Sequence, residues 1–322
     1  MGPVEVDRRR LLASAGLGAA LLGGMAATPA LAAPAQRFPY RTLPLWPGAA
    51  PGAENVTVTQ RSVLRSANSA PDDLAWYGIT RPTLTLVQPA RPNGTALLMI
   101  PGGGYERIAA SPDGGGIAHH LAGMGFHVGM LLYRLPYDGW AAGPDAPLQD
   151  AQRALRILRA ETGAGRTGTI GFSAGGHLAG ALATRHGDRT YPAIDAIDEG
   201  SARPDFAALM FAVVTMTDPH AHGPSRKNLI GAEPSADLIR RHSIEQDLPD
   251  DLPPMFLSAA VDDRVVPVEN TLILHAALKA KGVNAPCHIF DVGGHGFGSV
   301  DDPGGPGHFW PLLLADWLGR QA

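Results

Sequence analysis

Apolar positions along this chain recur with two periods, and the alternation between them predicts the fold. Residues 56–63 and 83–87 are β-rich, and 96–100 is a continuous apolar run of the kind buried on both faces. A helical stretch over 116–124 follows, then a strand at 128–133, a helix at 148–160, a strand at 168–171 and a helix at 174–184. Beyond these the pattern gives strands at 207–213 and 255–260, a helix at 269–281, a strand at 288–292 and a helix at 310–318. Strands alternating with helices predict an α/β fold with a mostly parallel sheet and helices on both faces. In the 148–160 helix, Leu148, Ala151, Leu155 and Leu158 recur at three and four residues while Arg153, Arg156 and Arg159 lie elsewhere, as in an amphipathic cover helix.

The alternation is interrupted twice. Residues 33–55 are rich in proline, alanine and glycine and predict an extended arm ahead of a catalytic domain over 56–322. Residues 215–251 are polar, with two short helical patterns. An insertion there falls at the carboxyl ends of the strands, where open α/β sheets bind ligands, so it is expected to form a small substrate-shaping cap.

Composition narrows the class. The 322 residues are 45% hydrophobic and 17% charged, enough for a large core. Residues 1–32 read as an export signal: Arg8-Arg9-Arg10 precedes a short glycine-rich apolar run and the small-residue pattern Ala30-Leu31-Ala32. The paired arginines resemble a twin-arginine signal, which implies bacterial export of a folded protein to the periplasm or exterior. The alternative, a membrane anchor, asks for about 20 apolar residues, more than this run offers. Without the signal, 23 basic and 28 acidic residues leave a net charge of −5, with no basic block to favour nucleic acid or an anionic membrane. The single cysteine, Cys287, permits no internal disulfide.

The chemistry concentrates in four places. Gly171-Phe172-Ser173-Ala174-Gly175 puts a G-x-S-x-G pattern between an apolar strand and a helix, the context in which a tight turn projects the serine hydroxyl. A serine hydroxyl is barely ionised at neutral pH and needs a base. His295, in Gly293-Gly294-His295-Gly296 after the last strand, is the first candidate, with His308 as its nearest rival. His177, four residues past the serine on the same helix, is expected to pack beside the turn. The base needs an orienting carboxylate, for which the turn after 255–260 offers Asp263, four residues before Pro267, or its neighbour Asp262. An oxyanion needs N–H donors, expected from Ala174 and from Gly103 and Gly104 in Pro101-Gly102-Gly103-Gly104-Tyr105. Tyr105, Tyr137 and Trp140 follow strand ends and are candidates to line the pocket or stack on a sugar.

These motifs resemble bacterial α/β-hydrolases related to acetyl-xylan and feruloyl esterases. The likeness extends to Leu45-Trp46-Pro47-Gly48, Tyr133-Arg134-Leu135, Pro147 through Ala154, residues 262–270 and residues 293–298. Serine, acid and histidine follow one another in the order that fold uses. The resemblance implies a serine esterase with Ser173, Asp263 and His295 as its triad, acting through an acyl-enzyme without metal or organic cofactor. Its implied substrates are small-acyl, acetyl-type esters, with carbohydrate esters among them. Pro101 stands where the relatives of hormone-sensitive lipase carry the histidine of H-G-G-G, which argues against that branch, and Ser111 to Gly116 replaces a segment that often holds a glutamate. A serine peptidase or acylaminoacyl hydrolase of the same chemistry, and a non-catalytic carbohydrate-binding relative, are the alternatives.

Overall fold

A computed structural model gives the structure of residues 37–298 and 305–321. The signal-like segment 1–32 lies outside the described residues. The strands are β1 (Tyr40–Pro44), β2 (Arg61–Leu64), β3 (Leu74–Tyr77), β4 (Thr83–Val87), β5 (Thr95–Ile100), β6 (Ile108–Ala109), β7 (His127–Leu132), β8 (Arg166–Phe172), β9 (Ala207–Met210), β10 (Met255–Ala260) and β11 (Cys287–Phe290). The helices are α1 (Gly115–Gly123), α2 (Ala146–Thr162), α3 (Ala174–Thr184), α4 (Gly223–Ile230), α5 (Ala236–His242), α6 (Glu269–Ala280) and α7 (Trp310–Gly319).

Among the described residues, eight strands form one sheet in the order β1-β4-β7-β5-β8-β9-β10-β11. From β7 to β11 every neighbouring pair is parallel, whereas β4 runs antiparallel to both β1 and β7. Side chains alternate across a strand, and β5 shows the consequence. Ala96, Leu98 and Ile100 pack with Leu155 of α2 and Leu178 of α3, while Leu97 and Met99 face Leu121 of α1 and Leu314 of α7. Both faces are therefore covered, which is why β5 reads as an apolar run from Ala96 to Ile100 and β10 is broken only by the buried Ser258. The chain goes from β5 outward to β7, then returns past β5 to β8, so the loops leaving β5 and β8 diverge and open a crevice at their carboxyl ends. Among the described residues no helix is long and apolar enough to cross a membrane.

Three expectations change. The arm is not merely laid on the domain: Tyr40–Pro44 forms β1, an edge strand of the main sheet, and Leu45 and Trp46 beyond it are buried. Of residues 56–63 only the end becomes a strand, β2, exposed throughout and paired with β3 and β6 in a separate three-stranded sheet. The strand expected over 207–213 stops at Met210, because Phe211 turns to a φ of 38°. Residues 215–251 do hold two short helices, α4 and α5.

The helix α2 is amphipathic as the spacing predicts, yet its polar side is covered as well. Arg153 is buried, donating to Leu45 O at 2.9 Å and gripping Asp195 through both terminal nitrogens. Asp150, one turn earlier, has a fully buried side chain and meets the equally buried Arg134, at 2.9 Å. Its oxygens also accept from Trp46 Nε1 at 2.8 Å and from the Arg134 backbone N–H at 2.8 Å. Arg134 Nη1 donates to Pro51 O and Nη2 also donates to Gln149 Oε1, so the pair is satisfied on all sides. It ties the arm, the end of β7 and α2 together. Removing one partner of such a pair strands a buried charge, so Asp150→Ala is expected to cost about 3–5 kcal/mol. Denaturant unfolding checks this, and a loss below about 1 kcal/mol would contradict it.

Candidate active site

Four strand ends build the site. The β8 strand runs directly into Ser173, whose backbone takes φ 56° and ψ −122° before α3 begins at Ala174. So sharp a turn requires strand and helix to approach closely. A Cβ on Gly171 would stand 2.2 Å from Gly175 O, and one on Gly175 would stand 2.2 Å from Ile100 O at the end of β5. These contacts explain why glycine occupies both positions. Ser173 N–H donates to Met210 O at 3.0 Å, and Ser173 O accepts from His177 N at 3.1 Å and Val213 N at 3.2 Å, which fixes the turn from both sides.

His295, on the loop after β11, places Nε2 2.9 Å from Ser173 Oγ and Nδ1 2.8 Å from Asp263 Oδ2. The carboxylate can only accept, so Nδ1 carries the proton and Nε2 is left to accept from the serine hydroxyl. The edge of the His295 ring packs against Phe211, 5.1 Å between centroids, and Phe297 two residues on is buried against the same ring. Burial works against the charge of Asp263, but hydrogen bonds from His295, Val266 N and Val265 N outweigh it and hold the carboxyl below the ordinary carboxylate range. Asp262 does something different: its Oδ1 accepts from Gly294 N at 2.7 Å, clamping the loop that carries His295. Of the two adjacent carboxylates, Asp263 touches the imidazole. His308 lies at the start of the last helical segment, with no hydrogen bond to Ser173 among the described contacts.

The glycine loop leaves β5 beside the serine, where a Cβ on Gly102 would stand 3.0 Å from Ser173 Cβ. Within the loop the Gly102 carbonyl accepts from Ala109 N at 2.9 Å, and the Gly103 carbonyl from Glu106 N and Arg107 N at 3.2 Å. A trans peptide points its C=O and the following N–H in opposite directions, so these bonds turn the Gly103 and Gly104 N–H groups away from the loop interior. Asn228 of α4 fixes the next peptide by donating to Gly104 O at 2.9 Å. Ala174 opens α3, where helix geometry leaves its N–H without an intrahelical partner. Tyr133 secures the base of the loop, donating from its hydroxyl to Pro101 O at 2.9 Å.

The three aromatic candidates separate. Tyr105 is buried, with its hydroxyl 2.7 Å from His177 Nδ1, and Trp140 is buried beneath the Arg134 guanidinium, 4.7 Å from its ring centroid. Both are packing residues, a correction to the expectation that they line a pocket. Tyr137 alone is exposed, at 62%. His177 packs beside the turn as expected and also bridges: its Nε2 donates to the His242 carbonyl of α5 at 2.7 Å, leaving Nδ1 to accept from Tyr105. Among the described residues no cluster of three or more His, Cys, Asp or Glu is arranged to hold a metal ion.

Residues 139–303 match the family model described as the prolyl oligopeptidase family, a span that includes Ser173, Asp263 and His295. The chain belongs to that family. The chain is 30% identical to an acetyl ester-xyloside bifunctional hydrolase from Caldicellulosiruptor lactoaceticus, whose crystal structure superposes with a TM-score of 0.68 over 87% of this chain and 96% of that one. An acetylxylan esterase of Xylanibacter ruminicola is 30% identical over 219 residues, 65% of this chain and 42% of that protein. Endo-1,4-beta-xylanase B of Butyrivibrio fibrisolvens is 31% identical over 211 residues, 64% of this chain and 33% of that protein. The chain thus spans less than half the length of these two curated relatives. The fold is that of the α/β-hydrolases.

Two features of this prolyl oligopeptidase-family chain escape sequence reading: the Asp262 clamp and the contact of α4 with the glycine loop. Neither leaves a local signature, since each joins residues more than thirty positions apart. The His177 bridge has a measurable consequence. Burial above all pushes His177 down to about 4, and burial with the neighbouring His177 pushes His242 down to about 3. Unfolded histidines bind protons below about 6.5, so between that pH and these lowered values the unfolded chain holds more protons and stability falls as pH falls. The loss by pH 4 is expected to be on the order of a few kcal/mol. Melting temperature followed from pH 7 to pH 4 should drop, and His177→Gln should flatten the drop; a wild-type curve flat across that window would contradict it.

Proposed function

We propose that the protein is a serine carboxylic-ester hydrolase in which Ser173, His295 and Asp263 act as nucleophile, base and orienting acid. The reading is carried by one observation, the unbroken hydrogen-bond line from Ser173 Oγ through His295 to Asp263 beside a glycine loop. His295 removes the hydroxyl proton as Ser173 attacks the ester carbonyl, and Asp263 stabilises the imidazolium that forms. The N–H groups of Ala174, Gly103 and Gly104 receive the oxyanion, which the N-terminus of α3 also favours. His295 returns its proton to the departing alcohol, and a water activated by the same imidazole releases the acyl group from Ser173.

Small-acyl, acetyl-type esters of carbohydrates are the proposed substrates, supported by the related acetyl ester-xyloside hydrolase and acetylxylan esterase. Residues 215–251 act as the small cap that shapes the acyl and alcohol sites, and residues 1–32 direct export, as their arginine-led apolar pattern suggests.

Initial rates on a panel of acyl-length esters, acetylated xylosides and peptide amides check the proposal. Short acetyl esters are expected to be the best substrates, and faster cleavage of peptide amides would replace an esterase with a peptidase. Ser173→Ala is expected to lower kcat/KM by at least about a thousandfold, and Asp263→Asn by a comparable factor with KM little changed. Undiminished hydrolysis by Ser173→Ala would rule out the serine mechanism.

A further inference from the structure

The segment between β9 and α4 is anchored at both ends to the two halves of the site. Asn270, fully buried near the start of α6 and just past the Asp263 turn, accepts from Val214 N at 2.9 Å and Thr215 N at 3.2 Å. Its Nδ2 donates to His220 O at 2.9 Å. At the other end Asn228 holds Gly104 O, and Ser225, also fully buried, has its Oγ 3.8 Å from where a Cβ on Gly104 would stand. His222 lies between these anchors, its Nδ1 2.7 Å from Ser225 Oγ. Burial first and His295 second push its imidazole below the ordinary histidine range, while Asp263 pulls the other way.

A neutral imidazole has one N–H and one lone pair. Nδ1 is engaged with the buried Ser225 hydroxyl, so whichever of the two donates, the half-buried ring keeps Nε2 as its remaining hydrogen-bonding atom. Its side of the site follows from the chemistry. The leaving alcohol must lie within reach of His295 Nε2 to take its proton, on the side of the Asp263 turn, and Asn270 just past that turn anchors the segment that carries His222. An acetyl group beyond its carbonyl has no hydrogen-bonding group to offer, whereas a sugar hydroxyl can both donate and accept.

We propose, resting on the serine-ester reading above, that His222 is a substrate-binding residue whose Nε2 hydrogen-bonds to a hydroxyl of a carbohydrate leaving group. Ser225 is then the positioning residue that holds the ring through Nδ1, and His222 takes no part in acyl transfer itself.

The test compares two acetyl esters, a mono-acetylated methyl xyloside and 4-nitrophenyl acetate, the second having no hydroxyl or ring oxygen on its alcohol. His222→Ala is expected to lower kcat/KM on the xyloside ester roughly tenfold, mainly through KM, and to leave 4-nitrophenyl acetate within about twofold. His222→Gln, whose amide N–H reaches nearly as far as Nε2, is expected to recover part of the xyloside rate. Equal losses on both esters, no loss on either, or failure of the unaltered protein to cleave the xyloside ester would overturn the assignment. Ser173→Ala run in parallel separates the two claims, because its rate reports on the nucleophile alone and the contrast between esters reports on His222.

Discussion

A serine held at φ 56° is uncommon, and a residue in such a region of backbone space costs on the order of 1–3 kcal/mol unless its surroundings determine it. Here they do. Its N–H is held by Met210 O, its carbonyl receives two donors, and Gly171 and Gly175 bring β8, α3 and the end of β5 into contact that no side chain would allow. Everything else in the site is arranged around this turn. The glycine loop touches it through Gly102, α3 starts from it, and His295 reaches it from the loop after β11.

Holding that turn takes more of the chain than the residues nearest to it. Tyr133 fastens the glycine loop at Pro101, and its neighbour Arg134 enters the fully buried pair with Asp150 that gathers Trp46, Pro51 and Gln149. Segments scattered from residue 46 to residue 150 thus converge behind the loop that the oxyanion is proposed to use. On the opposite side the Tyr105–His177–His242 line joins the same loop to α3 and α5, and Asn228 joins it to α4. The insertion over 215–251 is therefore part of what orients the glycine loop.

The sheet and its helices were legible in the sequence because strands buried on both faces read as continuous apolar runs, and the serine turn because its glycines flank a strand-to-helix transition. Other parts left weaker traces. The edge strand β1 lies in a proline-rich segment with an almost wholly exposed face, so it has no alternation to show. Tyr105 and Trp140 follow strand ends, but periodicity carries no information on where a side chain turns once a strand has ended. Asp262 and Asp263 are adjacent and alike in type, and only the placement of Gly294 and His295 separates a loop clamp from an imidazole partner. His222 sits in a polar stretch whose meaning depends on contacts with Gly104 and Asn270, about 118 and 48 positions away along the chain.

The central claim is that Ser173 is the covalent nucleophile and His295 activates it. Its most direct test is titration with a fluorophosphonate, with residual acetyl-ester hydrolysis and the modified residue, located by peptide mass spectrometry, followed on the same samples. Activity should fall in proportion to a single phosphonyl adduct on Ser173, and His295→Ala should acquire that adduct far more slowly. Full occupancy of Ser173 with hydrolysis intact, or complete inactivation with the adduct elsewhere, would contradict the account.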